Sequence, residues 1–268
     1  IKMNICIIGA GNIGTYLAAY ISMKHENKVW LHTSKPEAFN DTIALIEEEK
    51  NITHHITLHC ITSSYEEAVS NADYILITYP SFMMEKTIES ILPYLKKGAV
   101  VGAIPGFGGK EYLIDKLLDK GCIFFGTQRV PSIIRLEKYG ESVLLKQKNP
   151  FMKIRVIPGE YSEKVAKDMS NFIDIPCIPL NSYLAITLSP SNPTMHPSRL
   201  YELFHDYVEG EHIYERNPYF YEEWGTLAST ELLKLDEELE AIFNAFNENG
   251  DFDPRDIEKI KSRYNINT

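Results

Sequence analysis

No stretch of this 268-residue chain approaches the roughly 18 consecutive apolar residues of a membrane span, and nothing resembling a secretory leader stands before the first apolar run. A membrane partner is therefore not expected. Cysteine is scarce: Cys6, Cys60, Cys122 and Cys177 lie far apart, with no C-x-x-C pair. That excludes a disulfide scaffold and a thiolate metal site, and reduced cysteines in buried strands fit a cytoplasmic protein. There is no surplus of basic charge. Residues 1–183 hold 20 lysines and arginines against 20 acids, whereas residues 184–268 hold 7 against 17, so the whole net charge of −10 lies in the last third. A nucleic-acid partner is not expected of such a chain. The same asymmetry divides it into two units, 1–183 and 184–268. Internal repeats and low-complexity linkers are also missing.

What is present is organised around Met3–Tyr20, MNICIIGAGNIGTYLAAY. Asn4–Ile8 reads as a strand buried on both faces; it runs into Gly9-Ala10-Gly11-Asn12-Ile13-Gly14, and an alanine-rich helical pattern follows. In a G-x-G-x-x-G placed between strand and helix, Gly9 makes the tight turn, Gly11 lets a pyrophosphate approach the backbone, and Gly14 packs the helix on the strand. The helix start adds free N–H groups and a positive dipole end, so Asn12 and Ile13 count with the glycines as cofactor-binding residues. The pattern is that of a dinucleotide site.

Lys28–His32 is the second strand. An Asp or Glu at its end would take the ribose 2′-hydroxyl and mark NAD. His32, Thr33, Ser34 and Lys35 stand there instead. The hydroxyls of Thr33 and Ser34 and the ammonium of Lys35 suit a 2′-phosphate, so NADP is expected over NAD. Pro36–Lys50 reads as a helix. His54–Cys60 reads as a third strand whose histidines lack the further ligands of a metal site, so no metal is expected. Strands at Tyr74–Thr78, Ala99–Ile104 and Cys122–Gly126 alternate with helices, which predicts a Rossmann-type, doubly wound parallel sheet in an α/β fold. Tyr79-Pro80, just past the fourth strand, is a candidate wall beside the cofactor. Pro105–Gly109 is a second glycine-rich loop, either facing the nicotinamide end or a plain connection. Ile133–Tyr139, Ser142–Lys148 and Lys153–Ile157 follow without helices and read as an antiparallel extension of the sheet. Gln128, Arg129 and Arg135 lie where a substrate carboxylate would be held.

From Tyr183 the strand patterns stop. Ala228, Leu232, Leu235, Leu239, Ile242 and Phe246, spaced by four and three, predict a long amphipathic helix, and Asp251–Pro254 opens another toward Tyr264. At the junction stands Ser189–Arg199, SPSNPTMHPSR. Its prolines predict a rigid, non-helical segment, with Pro197 as the first residue of a helix and His196 at that helix's N-terminus. A histidine there either caps a helix or acts as an acid/base at a domain junction.

The GAGNIG loop and the N-P-x-x-H-P of Asn192–Pro197 together resemble the opine dehydrogenase family, which includes the octopine and nopaline enzymes. The run Gln128-Arg129-Val130-Pro131-Ser132 is similar to the bacterial members that make metal-chelating opines. The resemblance implies an all-helical second domain and an NAD(P)H-dependent reduction of the imine formed between an α-keto acid and the amine of an amino acid. It implies His196 as the group that polarises the substrate and exchanges a proton; Gln128, Arg129 and Asn192 are expected to hold substrate. A homodimer is expected. The acidic partner of the family histidine has no matching segment after Pro197. Arg263-Tyr264 is similar to the Arg-Tyr that precedes that acid, and Glu202 or Asp206 are the alternatives; the helical domain is then abbreviated or incomplete. Two other readings stand beside this one. One is a relative of ketopantoate reductase or glycerol-3-phosphate dehydrogenase, for whose catalytic lysine Lys234, set among acids, is a poor match. The other is a non-catalytic NADP-binding module.

Overall fold

The computed structural model describes residues 2–24, 26–189, 191–211, 214–248, 253, 256, 257, 259 and 260. The chain forms two compact units, Ile1–Thr187 and Leu188–Thr268. The first opens with β1 (Asn4–Ile8), α1 (Asn12–Ser22) and β2 (Lys28–His32), followed by a hairpin of β3 (Ile43–Glu47) and β4 (Ile52–Ile56). Then come β5 (Cys60–Thr62), α2 (Tyr65–Val69), β6 (Tyr74–Ile77), α3 (Ser81–Ile91), β7 (Val100–Ala103), α4 (Asp115–Asp119) and β8 (Ile123–Thr127). The unit closes with β9 (Ser132–Lys138), β10 (Ser142–Lys148), β11 (Met152–Ile157), α5 (Ser162–Ile173), β12 (Cys177–Pro179) and the short α6 (Leu184–Thr187).

The main sheet has the order β12-β11-β8-β7-β6-β1-β2-β5. Strands β5, β2, β1, β6, β7 and β8 are parallel; β11 is antiparallel to β8, and β12 lies parallel to β11. From β1 the chain builds outward through β2 and β5, then returns to β6 on the other side. Strands β1 and β6 therefore flank the switch point, beyond whose carboxyl ends a doubly wound sheet binds its ligand.

Two expectations are corrected here. Pro36–Lys50 is not a helix: after a single turn at Pro36–Ala38 it becomes β3, with Ile43, Leu45 and Glu47 buried in alternation. The strands after β8 do not simply extend the main sheet. Strand β10 pairs antiparallel with β9 and parallel with β3, giving a second sheet of order β4-β3-β10-β9, and of the three strands expected to extend the first sheet β11 alone joins it. Both corrections have one cause. Segment 43–47 is held as a strand by its pairing with β10, and strand preference is decided by such neighbours more than by local spacing. The predicted third strand is likewise divided: His54 lies in β4 and bonds Glu47 at 2.8 Å, while the ring of His59, outside any strand, meets Trp30 edge-on at 4.4 Å.

The second sheet explains the composition of α1. Every residue from Gly14 to Ile21 is buried. Strands β1 and β2 cover the helix with Ile5, Ile7 and Leu31, and the second sheet covers it with Leu45, Ile134 and Val143. A helix apolar on every side needs cover on every side, which a single sheet does not supply.

The second unit contains α7 (Asn192–Phe204) and α8 (Thr226–Glu248), which pack on each other. The buried seam of α8 is Ala228, Leu232, Asp236 and Phe243, whereas Ile242 of the expected stripe is exposed. Asp236 is accepted in that seam because its carboxylate takes the Ile260 N–H at 3.2 Å. Most of the helix expected from Asp251 to Tyr264, and the Arg263-Tyr264 pair, lie outside the described residues. Among the described residues no helix is long and apolar enough to cross a membrane.

Candidate active site

In the first unit the chain after β1 turns at Gly9, whose φ is +102°; a Cβ there would lie 2.6 Å from Thr78 Oγ1 and 3.0 Å from the Tyr79 ring. The Thr78 hydroxyl donates to Ile8 O at 3.0 Å, tying the loop to the end of β6. Around Gly11 there is nothing within 4 Å of where a Cβ would sit. A Cβ on Gly14 would lie 1.7 Å from Gly9 O. These are the turn, the open approach and the close packing that a pyrophosphate cradle requires. The first turn of α1 carries neither a capping side chain nor an acid, so its amides face a ligand without an internal competitor. The loop fits a dinucleotide. Gly14→Ala is expected to destabilise the first unit by about 1–3 kcal/mol, the usual cost of overpacking, and to abolish dinucleotide binding; thermal unfolding and calorimetry read the two effects.

The other expected cofactor residues divide by what already occupies them. Asn12 Oδ1 accepts the Leu136 N–H of β9 at 2.7 Å, and the Ile13 side chain packs on the core. At the end of β2, His32 is buried with its ring stacked 3.8 Å from that of Tyr65, and burial disfavours its protonated form. Thr33 is also buried; its hydroxyl is hydrogen-bonded to Tyr139 Oη at 2.7 Å and accepts the Lys35 N–H at 3.2 Å. Ser34 and Lys35 are exposed. Strand β9 and the turn after it thus touch both the glycine loop, through Asn12, and the end of β2, through Tyr139. Tyr139 was not legible in the sequence, because only the second sheet brings it there.

Beyond β6, the half-buried Tyr79 lays its ring against Gly9, and burial pushes its hydroxyl up to about 12. Pro80 immediately precedes α3. Gln128 is buried and its Nε2 donates to Ala185 O at 2.8 Å, so it fastens α6 to the end of β8. Arg129 Nη1 reaches Gln128 O at 3.4 Å, and Arg135 Nη1 reaches Ile134 O at 3.1 Å. Tyr183 Oη donates to Gly106 O at 2.8 Å, and the Thr187 hydroxyl bonds Glu111, so α6 is held at three points. Lys110, buried among these loops, had no signal in the sequence beyond following two glycines.

The second unit corrects the placing of His196. Helix α7 begins at Asn192, with Pro193 in its first turn and Pro197 inside it. His196 is therefore one turn into the helix and not at its N-terminus, and the segment expected to be non-helical is helical from Asn192 onward. Two prolines were available to start the helix, and the earlier one does so. Asn192 is exposed at the first helical position. The His196 Nε2 lies 3.0 Å from Tyr221 Oη, and its ring meets Phe220 edge-on at 5.2 Å. Neither Glu202 nor Asp206 is hydrogen-bonded to it. Glu202 pairs with the buried Arg199 and accepts the N–H groups of Gly225 (3.0 Å), Leu227 (3.1 Å) and Ala228 (3.2 Å), so it caps α8. Arg199 also donates from Nε to Phe220 O at 3.0 Å and from Nη2 to Tyr219 O at 3.1 Å. That pins the segment carrying Tyr221 against α7. Lys234 is exposed and paired with Glu231 at 2.8 Å.

The comparisons with known proteins follow the same division. Residues 5–141 match the model of ketopantoate reductase PanE/ApbA, and residues 179–267 match the alpha-helical domain of NAD/NADP octopine/nopaline dehydrogenase. The tauropine dehydrogenase of Arabella iricolor is 27% identical over 170 residues, which cover 60% of this chain and 42% of that protein. A structure of octopine dehydrogenase with NADH and L-arginine aligns with a TM-score of 0.84 at 20% identity, over 98% of this chain and 69% of that one. A yersinopine dehydrogenase with NADP+ bound aligns with a TM-score of 0.68 at 14% identity, over 97% of this chain and 66% of that one. The matches to the curated relatives that head the comparison span only 38% to 42% of their lengths. The chain belongs to the ketopantoate reductase PanE/ApbA family by its nucleotide-binding unit, the family model matching just over half of the chain, and that unit is joined to one matching the octopine/nopaline dehydrogenase helical domain.

Proposed function

We propose that this chain carries an NADP-dependent oxidoreductase activity of opine type, the reductive condensation of an α-keto acid with the amine of an amino acid. The observation that carries the reading is the pairing of an open pyrophosphate cradle at Gly9–Gly14 with a tyrosine-held His196 in a unit of octopine dehydrogenase type. A reduced nicotinamide, when bound, supplies the hydride. The glycine loop and the first turn of α1 hold its pyrophosphate, and Tyr79 walls the loop. The ring of His196 is oriented by Tyr221 at Nε2, which leaves Nδ1 as the atom at which a proton is given to the substrate or taken from it. Gln128, Arg129 and Asn192 are proposed to hold the substrate carboxylates, although the amide of Gln128 also anchors α6.

NADP over NAD is supported by the absence of a carboxylate at the end of β2 and by the exposed Ser34 and Lys35; Thr33, with its hydroxyl engaged, contributes less than the sequence suggested. Lys35→Ala is expected to narrow the NADPH-over-NADH preference several-fold, since a charge-assisted hydrogen bond is worth about 1.5–3 kcal/mol. Equal binding of both cofactors to the parent in calorimetry sinks this part. We further infer a cytoplasmic homodimer, the compartment supported by four free cysteines; sedimentation reads the mass. The activity is tested by NADPH oxidation with pyruvate or glyoxylate, with and without a panel of amino acids. Amine-dependent oxidation is expected. Oxidation by the keto acid alone would instead fit a simple reductase, as the match of the first unit to ketopantoate reductase allows, and tight NADPH binding without turnover would fit a non-catalytic module.

A further inference from the structure

Lys110 is only 2% exposed. The backbone at Gly108 (φ +91°) and Gly109 (φ +76°) turns it inward. Its Nζ donates to Pro105 O at 2.8 Å and to Tyr79 O at 3.1 Å, the carbonyls that lie just past the adjacent strands β7 and β6. Burial alone lowers its affinity for the proton, to a value of about 8, and no carboxylate offsets that effect. A buried ammonium without a counter-ion is costly, whereas a neutral donor would bridge the same two carbonyls without that cost. The position becomes intelligible if an anion docks above the same strand ends, where a fixed cation raises its local concentration. The carbonyl that Lys110 holds also belongs to Tyr79, whose ring sits against Gly9. A second tie between the same loops, from the Ser81 hydroxyl to Phe107 O at 3.3 Å, keeps them in register.

We propose that Lys110 is a positioning residue for the dinucleotide: its ammonium clamps the Tyr79 and Pro105 loops together, sets the Tyr79 wall against the glycine loop, and supplies the cation that a bound dinucleotide anion draws upon. This rests on the cofactor reading above. The titratable groups around it are Tyr79 and Tyr183, both kept protonated by burial, and Glu111, bonded to Thr187; Glu85 and Lys86 of α3 and Asp115 and Lys116 of α4 are exposed. A bound anion favours the protonated lysine, so binding is strongest while Lys110 carries its proton and weakens as the pH rises through about 8.

Calorimetric titration with NADPH from about pH 7.5 to about pH 9.5, above the range near 6 where a phosphate monoester titrates, tests this in two buffers of different ionisation enthalpy. The parent is expected to take up a fraction of a proton on binding near pH 8 and to lose affinity roughly tenfold across the range, the equivalent of one unit of linked shift. Lys110→Arg, charged throughout, is expected to bind with no proton uptake and a flat profile. Lys110→Met is expected to bind more weakly and equally flatly. A parent that binds NADPH with no proton uptake and no change over this range overturns the proposal and leaves the cofactor reading intact, even if Lys110→Met does not fold. A parent that binds no dinucleotide at all overturns both.

Discussion

Replacing His196 by alanine is expected to lower amine-dependent NADPH oxidation by about 10²–10⁴-fold, the usual contribution of a general acid–base group. Hydride addition to an imine or carbonyl carbon builds negative charge on the neighbouring heteroatom unless a proton is delivered or a donor is placed there. Imidazole is the side chain that exchanges protons near neutrality, and Tyr221 holds this one by Nε2. The fold of the second unit should survive the change. Its contacts run through Arg199, which bonds Glu202, Tyr219 O and Phe220 O independently of the histidine. NADPH affinity should also survive, because the cradle lies in the first unit. Tyr221→Phe keeps the ring and removes the orienting hydroxyl, so a smaller loss in turnover is expected from it. Steady-state rates together with NADPH titration make the measurement. Amine-dependent oxidation that persists unchanged in His196→Ala refutes the proton role and leaves the family assignment standing.

Glu202→Ala is expected to destabilise the second unit by about 1–3 kcal/mol, the cost of leaving a buried donor without its acceptor. The buried Arg199 would lose the carboxylate it pairs with, and three N–H groups at the start of α8 would lose their acceptor. A Cβ on Gly225 would lie 2.1 Å from Glu202 Oε1, so the two chain segments have been brought as close as the carboxylate allows. The dependence on pH has a definite sign. Burial opposes ionisation of Glu202, but the N–H groups of Ala228 and Gly225 and the Arg199 guanidinium outweigh it and hold the carboxyl below its ordinary value. Its stabilisation is therefore full above the usual glutamate value of about 4.3 and is lost as the pH falls through the lowered folded value. Trp224, whose Nε1 donates to Ser229 Oγ at 3.1 Å, reports on this unit in denaturant titrations, and Trp30 on β2 reports on the other. Glu202→Gln should lose both the stability and that acid transition. If the glutamine variant unfolds at the parent's denaturant midpoint, Glu202 does not hold this unit together.

The elements that could be read from the sequence are those whose stabilising neighbours are close in the chain or whose geometry is built from glycine. Asn4–Ile8 and Lys28–His32 form as expected, because buried parallel strands are continuous apolar runs bounded by turn residues. The three glycines of the first loop could be assigned separate mechanical tasks in advance, since each task follows from lacking a Cβ. The helical character of the last third, its acidity and the family motif were likewise legible.

Tertiary structure alone decided the rest, wherever two solutions were locally equal. Residues 43–47 suit a helix by composition; they are a strand because Ala44 and Leu45 pair with Ser142 and Val143, far along the chain. Pro193 and Pro197 can each begin a helix, and packing against α8 selects the earlier, which moves His196 inward by a turn and gives it Tyr221 as its partner. Glu202 suited the role of acid to that histidine as well as any carboxylate nearby, until Arg199 and the start of α8 are seen to claim it. Lys110 reads as an ordinary loop cation, because burial is set by the whole fold and leaves no local trace. Apolar runs and glycine placement thus made the parallel strands and the glycine turn of the first unit legible, and the N-P-x-x-H-P motif pointed to the helical domain. The partner of each polar group was settled only when distant segments met, because a buried polar atom takes whichever partner the packing brings within reach.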